Sequence, residues 1–131
     1  MADAVADELA IRRALATYSQ RLDDGDFAGL AALFTSDGTF DYSGQGTTGQ
    51  AQLERWFAAM NPPERLGKHL TLNVVVEVDG DRATVSSDFL FLRLAEGSIT
   101  PAITGRYRDD FVRTDGGWLL RSRVVQPRRV T

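Results

Sequence analysis

The chain has 131 residues, which fits one domain with a single hydrophobic core, and a second catalytic domain is not expected within that length. Its formal charge of −3 provides no basic field for a phosphate backbone, so nucleic acid is not an expected partner. With no cysteine, disulfides, thiolate metal sites and cysteine nucleophiles are excluded. Asp3, Asp7 and Glu8 stand where a secretory signal would carry basic residues and then an apolar run, so the expected location is cytoplasmic. No stretch approaches the ~20 apolar residues of a membrane helix, and no membrane partner is expected.

Ile11, Leu15, Tyr18 and Leu22 share one face of a helix from about Asp3 to Leu22, which should lie on a core. Asp23-Asp24-Gly25-Asp26 breaks it, and Asp26 is a good N-cap for a second helix carrying Phe27, Leu30, Leu33 and Phe34. The turn residues Thr35-Ser36-Asp37-Gly38 should end that helix, and Thr39 to Ser43 should form a short strand. After a Gly-rich loop, Leu53, Trp56, Phe57 and Met60 mark a third helix stopped by Pro62 and Pro63. From Lys68 onward, turns at Asp79-Gly80-Asp81, Glu96-Gly97-Ser98 and Asp115-Gly116-Gly117 divide an antiparallel meander. Helices segregated on one face of such a sheet make an α+β fold, here as one domain over residues 1–131.

On the first long strand, alternation places His69, Thr71, Asn73, Val75 and Glu77 on one face and Leu70, Leu72, Val74, Val76 and Val78 on the other. Two arrangements satisfy this pattern. Either the apolar face packs on the core and His69 sits in solvent, or the polar face lines a cavity under the helices. In the second case a second copy of the chain covers the apolar face, giving a homodimer through the outer sheet face.

The segment Ile11 to Phe34, with Asp-Asp-Gly-Asp-Phe-Ala-Gly-Leu at its centre, resembles the opening of SnoaL-like domains in the scytalone dehydratase superfamily. His69 with Asn73, the turn Val78 to Ala83, Gly105 to Asp109 and Asp115-Gly116-Gly117-Trp118 follow that family's strand signatures in order. The resemblance implies a cone-shaped curved antiparallel sheet with three N-terminal helices enclosing a pocket, a cystatin-like barrel. It also implies that Asp23, Tyr42 and His69 match polar pocket positions of the dehydratase branch, whereas Leu22 stands where that enzyme has a tyrosine. The superfamily holds dehydratases, isomerases, cyclases and non-catalytic binders, so fold alone does not name a reaction.

Histidine takes or gives a proton near neutral pH, and a carboxylate on its other nitrogen fixes its tautomer. His69 is therefore the expected general acid/base and Asp23 its orienting partner. Tyr42 is the expected donor to a substrate carbonyl. Trp56, Phe57, Met60, Asn73, Phe89 and Tyr107 are the expected substrate-binding residues, with Phe91 as a further wall, around a small aromatic or polycyclic molecule. Neither metal nor cofactor is required.

Three functions fit: a lyase or isomerase of dehydratase or cyclase type, a non-catalytic module that binds a small ligand, and a dimerisation domain with a filled interior. Plainer roles stand beside the sharper ones. Asp23 with Asp24 and Gly25 forms helix-terminating chemistry, and Trp56, Phe57 and Met60 fit a plain core. Arg106, Arg108, Arg121 and Arg123 read as solvated or salt-bridged strand residues, although one could bind an acidic substrate. Gly44-Gln45-Gly46-Thr47-Thr48-Gly49 matches G-x-G-x-x-G, but the strand before it is short and polar and a parallel β-α-β unit does not follow. A flexible rim loop is expected there instead.

Overall fold

The computed structural model describes residues 3–65 and 67–128. The long helix α1 (Ala4–Asp23) starts where the Asp3 carboxylate accepts the amides of Val5 and Ala6, and it buries Ile11, Leu15, Tyr18 and Leu22. Helix α2 (Phe27–Ala31) is capped by the Asp26 side chain on the Gly29 amide, and it is shorter than its apolar pattern suggests. Phe34 is not helical but opens strand β1 (Phe34–Tyr42). The sheet captures this part of the chain: the Leu120 amide donates to the Leu33 carbonyl, and Phe34 lies opposite Leu120. Thr35 to Gly38 still carry turn chemistry. Between Phe34 and Thr39, β1 advances five positions while its neighbour advances two, so the extra residues form an irregularity inside the strand.

Strand β2 (Gln45–Thr48) folds back on β1 as an antiparallel hairpin and leads into α3 (Gln50–Met60). The glycine-rich stretch is therefore mostly hairpin strand, not a loose rim loop, and none of it lines the cavity that His69 borders. After a single 3-10 turn (Pro63–Arg65) come β3 (Gly67–Asp79), β4 (Arg82–Ala95), β5 (Ser98–Thr114) and β6 (Gly117–Pro127). The strands form one curved, open six-stranded sheet in the order β2-β1-β6-β5-β4-β3. It is not wholly antiparallel as expected, because β1 pairs with β6 in parallel. Turn chemistry fixes the direction of each strand relative to its hairpin partner. It carries no information about which way β1 meets a strand some eighty residues later.

Strand β3 departs from simple alternation at one residue. Asn73 has φ 53°, and the pairing with β4 slips between Leu72 and Val75. One extra residue in a strand sends every later side chain to the opposite face, and asparagine tolerates the left-handed conformation better than most residues. His69 and Thr71 consequently face the helices together with Val74, Val76 and Val78. Leu70, Leu72 and Val75 lie exposed on the outer face. The apolar run is thus split between the two faces. Asn73, expected among the substrate-binding residues, is exposed, its amide donates to Asp88, and it does not line the cavity that His69 borders.

Asp7 is buried near the start of α1. It accepts two 2.8 Å hydrogen bonds from the Arg113 guanidinium and one of 3.1 Å from Trp118 Nε1, while Arg113 stacks 4.6 Å above the Trp118 ring. This clamp ties the helix to β5 and β6 and gives Trp118 a structural role at the start of β6. The Arg113 and Trp118 hydrogen bonds hold the Asp7 carboxyl below its ordinary value of 3.8. A depressed carboxyl contributes stability that is fully present above the unfolded-state value and is lost as pH falls through the folded one. Asp7→Asn should therefore lower Tm at neutral pH and flatten the decline of Tm below about pH 4, as scanning calorimetry across pH would show.

Candidate active site

Asp23 is the last residue of α1, and His69 is near the start of β3. His69 Nδ1 lies 2.7 Å from Asp23 Oδ1, and both Asp23 oxygens accept the His69 backbone amide at 3.1 Å. The side chains are only 17% and 6% exposed, so water competes little for this contact. One carboxylate fixes both the strand backbone and the ring. A carboxylate at Nδ1 favours the tautomer protonated there, which leaves a lone pair on Nε2. The ring rests against Phe91 at 4.6 Å between centroids. Gly67, paired with Arg93 beside it, makes room for that arrangement, since a Cβ at Gly67 would collide with the Leu92 carbonyl and come within 2.8 Å of the Phe91 ring.

His69 borders a cavity of about 230 Å³ between the helices and the inner sheet face. Trp56, Phe57, Met60, Phe89 and Tyr107 also line it, and so does Tyr42 from the end of β1. Asp23 stands behind His69 and does not line this cavity. Burial pushes the Tyr42 hydroxyl above its usual range, so it stays protonated at neutral pH and is available as a donor. The sequence reading missed Tyr18, which projects from α1 into the same space, and the mouth residues Asn61, Arg65 and Arg93. Tyr18 had been visible only as one more member of an apolar helix face.

Under this cavity lies a charged pair that the sequence did not single out. Arg123 on β6 and Asp109 on β5 are opposite one another, and both side chains are fully buried. Two hydrogen bonds join them, from Nε at 2.7 Å and from Nη2 at 2.8 Å. The guanidinium is held between the rings of Tyr18 at 4.1 Å and Tyr107 at 3.8 Å, and Tyr107 stacks on Phe89 at 4.7 Å. Burial works against the Arg123 charge, but the Asp109 carboxylate outweighs it and holds the guanidinium above its ordinary range. Burial likewise raises both tyrosines: Tyr18 is pushed up to about 12, and Tyr107 rises further despite the opposing pull of Arg123. Both phenols are neutral hydrogen-bonding groups at physiological pH. Of the two readings, solvated or salt-bridged, Arg123 takes the second: it is paired with Asp109, has no exposure for an acidic substrate to reach, and supports two tyrosines of the cavity wall.

Among the described residues, no three His, Cys, Asp or Glu side chains gather as metal ligands, and no helix is long and apolar enough to cross a membrane. The arrangement can move a proton at His69 and donate hydrogen bonds from phenols inside an aromatic enclosure.

Known proteins share this architecture. The chain is 29% identical over 124 residues to the protein Rv2910c of Mycobacterium tuberculosis, covering 92% of this chain and 84% of that one. A solved variant of Rv3472, a protein of unknown function from Mycobacterium tuberculosis, superposes with a TM-score of 0.90 at 28% identity, covering 96% of this chain and 74% of that one. A protein described as a candidate scytalone dehydratase from Novosphingobium aromaticivorans superposes with a TM-score of 0.84 at 26% identity, covering 97% and 87% of the two chains. The SnoaL-like domain model matches residues 3–124, and the chain belongs to the SnoaL-like domain family.

Proposed function

We propose that this protein is a cofactor-independent lyase or isomerase of dehydratase or cyclase type, acting as a single SnoaL-like domain on a small aromatic or polycyclic carbonyl compound. The observation that carries this reading is the 2.7 Å contact of Asp23 with His69 Nδ1, which leaves Nε2 for the cavity. Nε2 takes a proton from the carbon next to the carbonyl, and the electron pair of that C–H bond moves into an enolate. Tyr42 donates a hydrogen bond to the enolate oxygen. The electrons then return to form the carbon–carbon double bond as the β-hydroxyl departs, taking the proton from the imidazolium and leaving as water. If the proton is instead returned to the far carbon of a neighbouring double bond, the result is isomerisation. Similarity to the candidate scytalone dehydratase supports the same class.

A β-hydroxy ketone fused to an aromatic ring is the substrate class to screen, with loss of water and exchange of the α-hydrogen for deuterium as the two readouts. Wild-type protein should catalyse at least one of them, and His69→Ala should not. Full turnover by His69→Ala would sink the proposal.

One observation favours a second reading, a non-catalytic module that binds a small ligand. Asp23 already has a structural task in holding the His69 backbone amide. In a pure binder His69→Ala changes affinity, and no product forms with any substrate. The open cavity speaks against a dimerisation domain with a filled interior. Association of two copies through Leu70, Leu72 and Val75 on the outer face belongs to the proposal as well, and sedimentation showing only monomer at micromolar concentration would remove it.

A further inference from the structure

The polar groups of the cavity fall into two sets at different depths. His69, Tyr18 and Tyr107 are buried or nearly so, whereas Arg65 and Arg93 line the same cavity from its exposed mouth. The chain carries 18 acidic and 15 basic residues, yet among the described residues two guanidiniums and no carboxylate line this space. Neither arginine forms an ion pair among the described residues, although Arg12, Arg106, Arg113 and Arg123 all do. Asn61 adds an amide at the mouth, with one of its N–H groups committed to the Phe57 carbonyl.

The strand pairing sets a scale. Phe91 lies opposite His69 and Arg93 lies opposite Gly67, so Arg93 is two residues further toward the mouth on the same inner face. Two residues of extended chain cover roughly 7 Å. A molecule with its ring system against His69 and Phe91 would thus present a group to Arg93 at about the length of two fused rings.

We infer that the ligand of this cavity is an apolar ring compound bearing a carboxylate, with the rings enclosed by the aromatic wall and the carboxylate held by Arg65 and Arg93 at the mouth. The orientation follows from solvation. The carboxylate stays beside water and two donors that suit its geometry, and the rings replace water inside. Reversing the molecule would bury an anion near Asp23, whose charge already stands behind His69. The inference rests on the cavity being a small-molecule site, and it selects among the substrates such a site accepts.

The test uses the full chain with 2-naphthoate and methyl 2-naphthoate, which share a ring body and differ in charge. Affinities come from titration calorimetry. Occupancy comes from the NMR signals of His69, the only histidine in the chain. Naphthoate should bind about tenfold tighter than its ester in low salt and shift the His69 signals. That preference should shrink as added salt shortens the screening length from ~30 Å at 0.01 M to ~8 Å at physiological strength. The double variant Arg65→Gln/Arg93→Gln, confirmed folded by its melting curve, should bind both probes alike. Equal binding of the two probes by the wild type, an unchanged preference in the double variant, or binding of neither probe would overturn the inference. Because turnover is not read, the proposed reaction and the carboxylate preference fail separately: an inert His69 removes the first and an indifferent mouth removes the second.

Discussion

Truncation of Asp109 to alanine is expected to cost about 3–5 kcal/mol of folding stability, the range for breaking a buried ion pair by removing one partner. The cost arises in what remains. Arg123 would keep its charge with no exposure to water, because its guanidinium lies between the Tyr18 and Tyr107 rings and its Nη1 already lacks a partner among the described residues. A domain of this size is stable by only about 5–15 kcal/mol, so such a loss removes roughly a fifth of that stability at the least and nearly all of it at the low end of the range. Replacing both members, as Asp109→Leu/Arg123→Met, removes the desolvation penalty together with the attraction, and such replacements are often neutral or stabilising. Urea unfolding of the wild type, the two single variants and the double variant closes the cycle. A loss under 1 kcal/mol for Asp109→Ala would mean that water reaches the pair and that the buried support described here does not exist.

The same pair shows how far the sequence can be read. Tyr107, Asp109 and Phe111 alternate, as do Arg123 and Val125, which is enough to suggest that both charges face inward. Counting outward from the turn at Asp115-Gly116-Gly117 pairs Asp109 with Ser122, however. A register shift between Asp110 and Phe111 moves the partner to Arg123. Strand β3 fails to yield to alternation in the same way. Its inner face was legible as far as Thr71 and was then inverted by Asn73, whose left-handed backbone has no signature in hydrophobic period. Helix faces were easier to read, because no such one-residue insertion interrupts α1 or α3. Periodicity could not bring Asp23 to His69 across 46 positions; the family resemblance suggested that meeting, and the contact geometry describes it. The cationic mouth was invisible for another reason. Arg65 follows a helix stop and Arg93 lies two residues before the end of β4, and each alone looks like an ordinary solvated charge.

Asp23→Asn should be more informative than His69→Ala, because it changes the proton on the ring while preserving the shape of the site. The new amide keeps a carbonyl oxygen that can accept the His69 backbone N–H, so the tie between α1 and β3 survives. Its NH₂ group, if turned toward Nδ1, offers a proton where the ring formerly donated one. The ring then carries its own hydrogen on Nε2, and the nitrogen facing the cavity becomes a donor in place of a base. Under the proposed mechanism turnover should fall about 10²–10⁴-fold, the usual contribution of a positioned acid/base, with KM changed far less than kcat. Nitrogen-15 chemical shifts of the single imidazole should report the exchange of tautomers directly. A variant in which the tautomer has switched but turnover is unchanged would acquit His69 of proton transfer and leave Asp23 as a purely structural tie, which is what the binding-module reading requires.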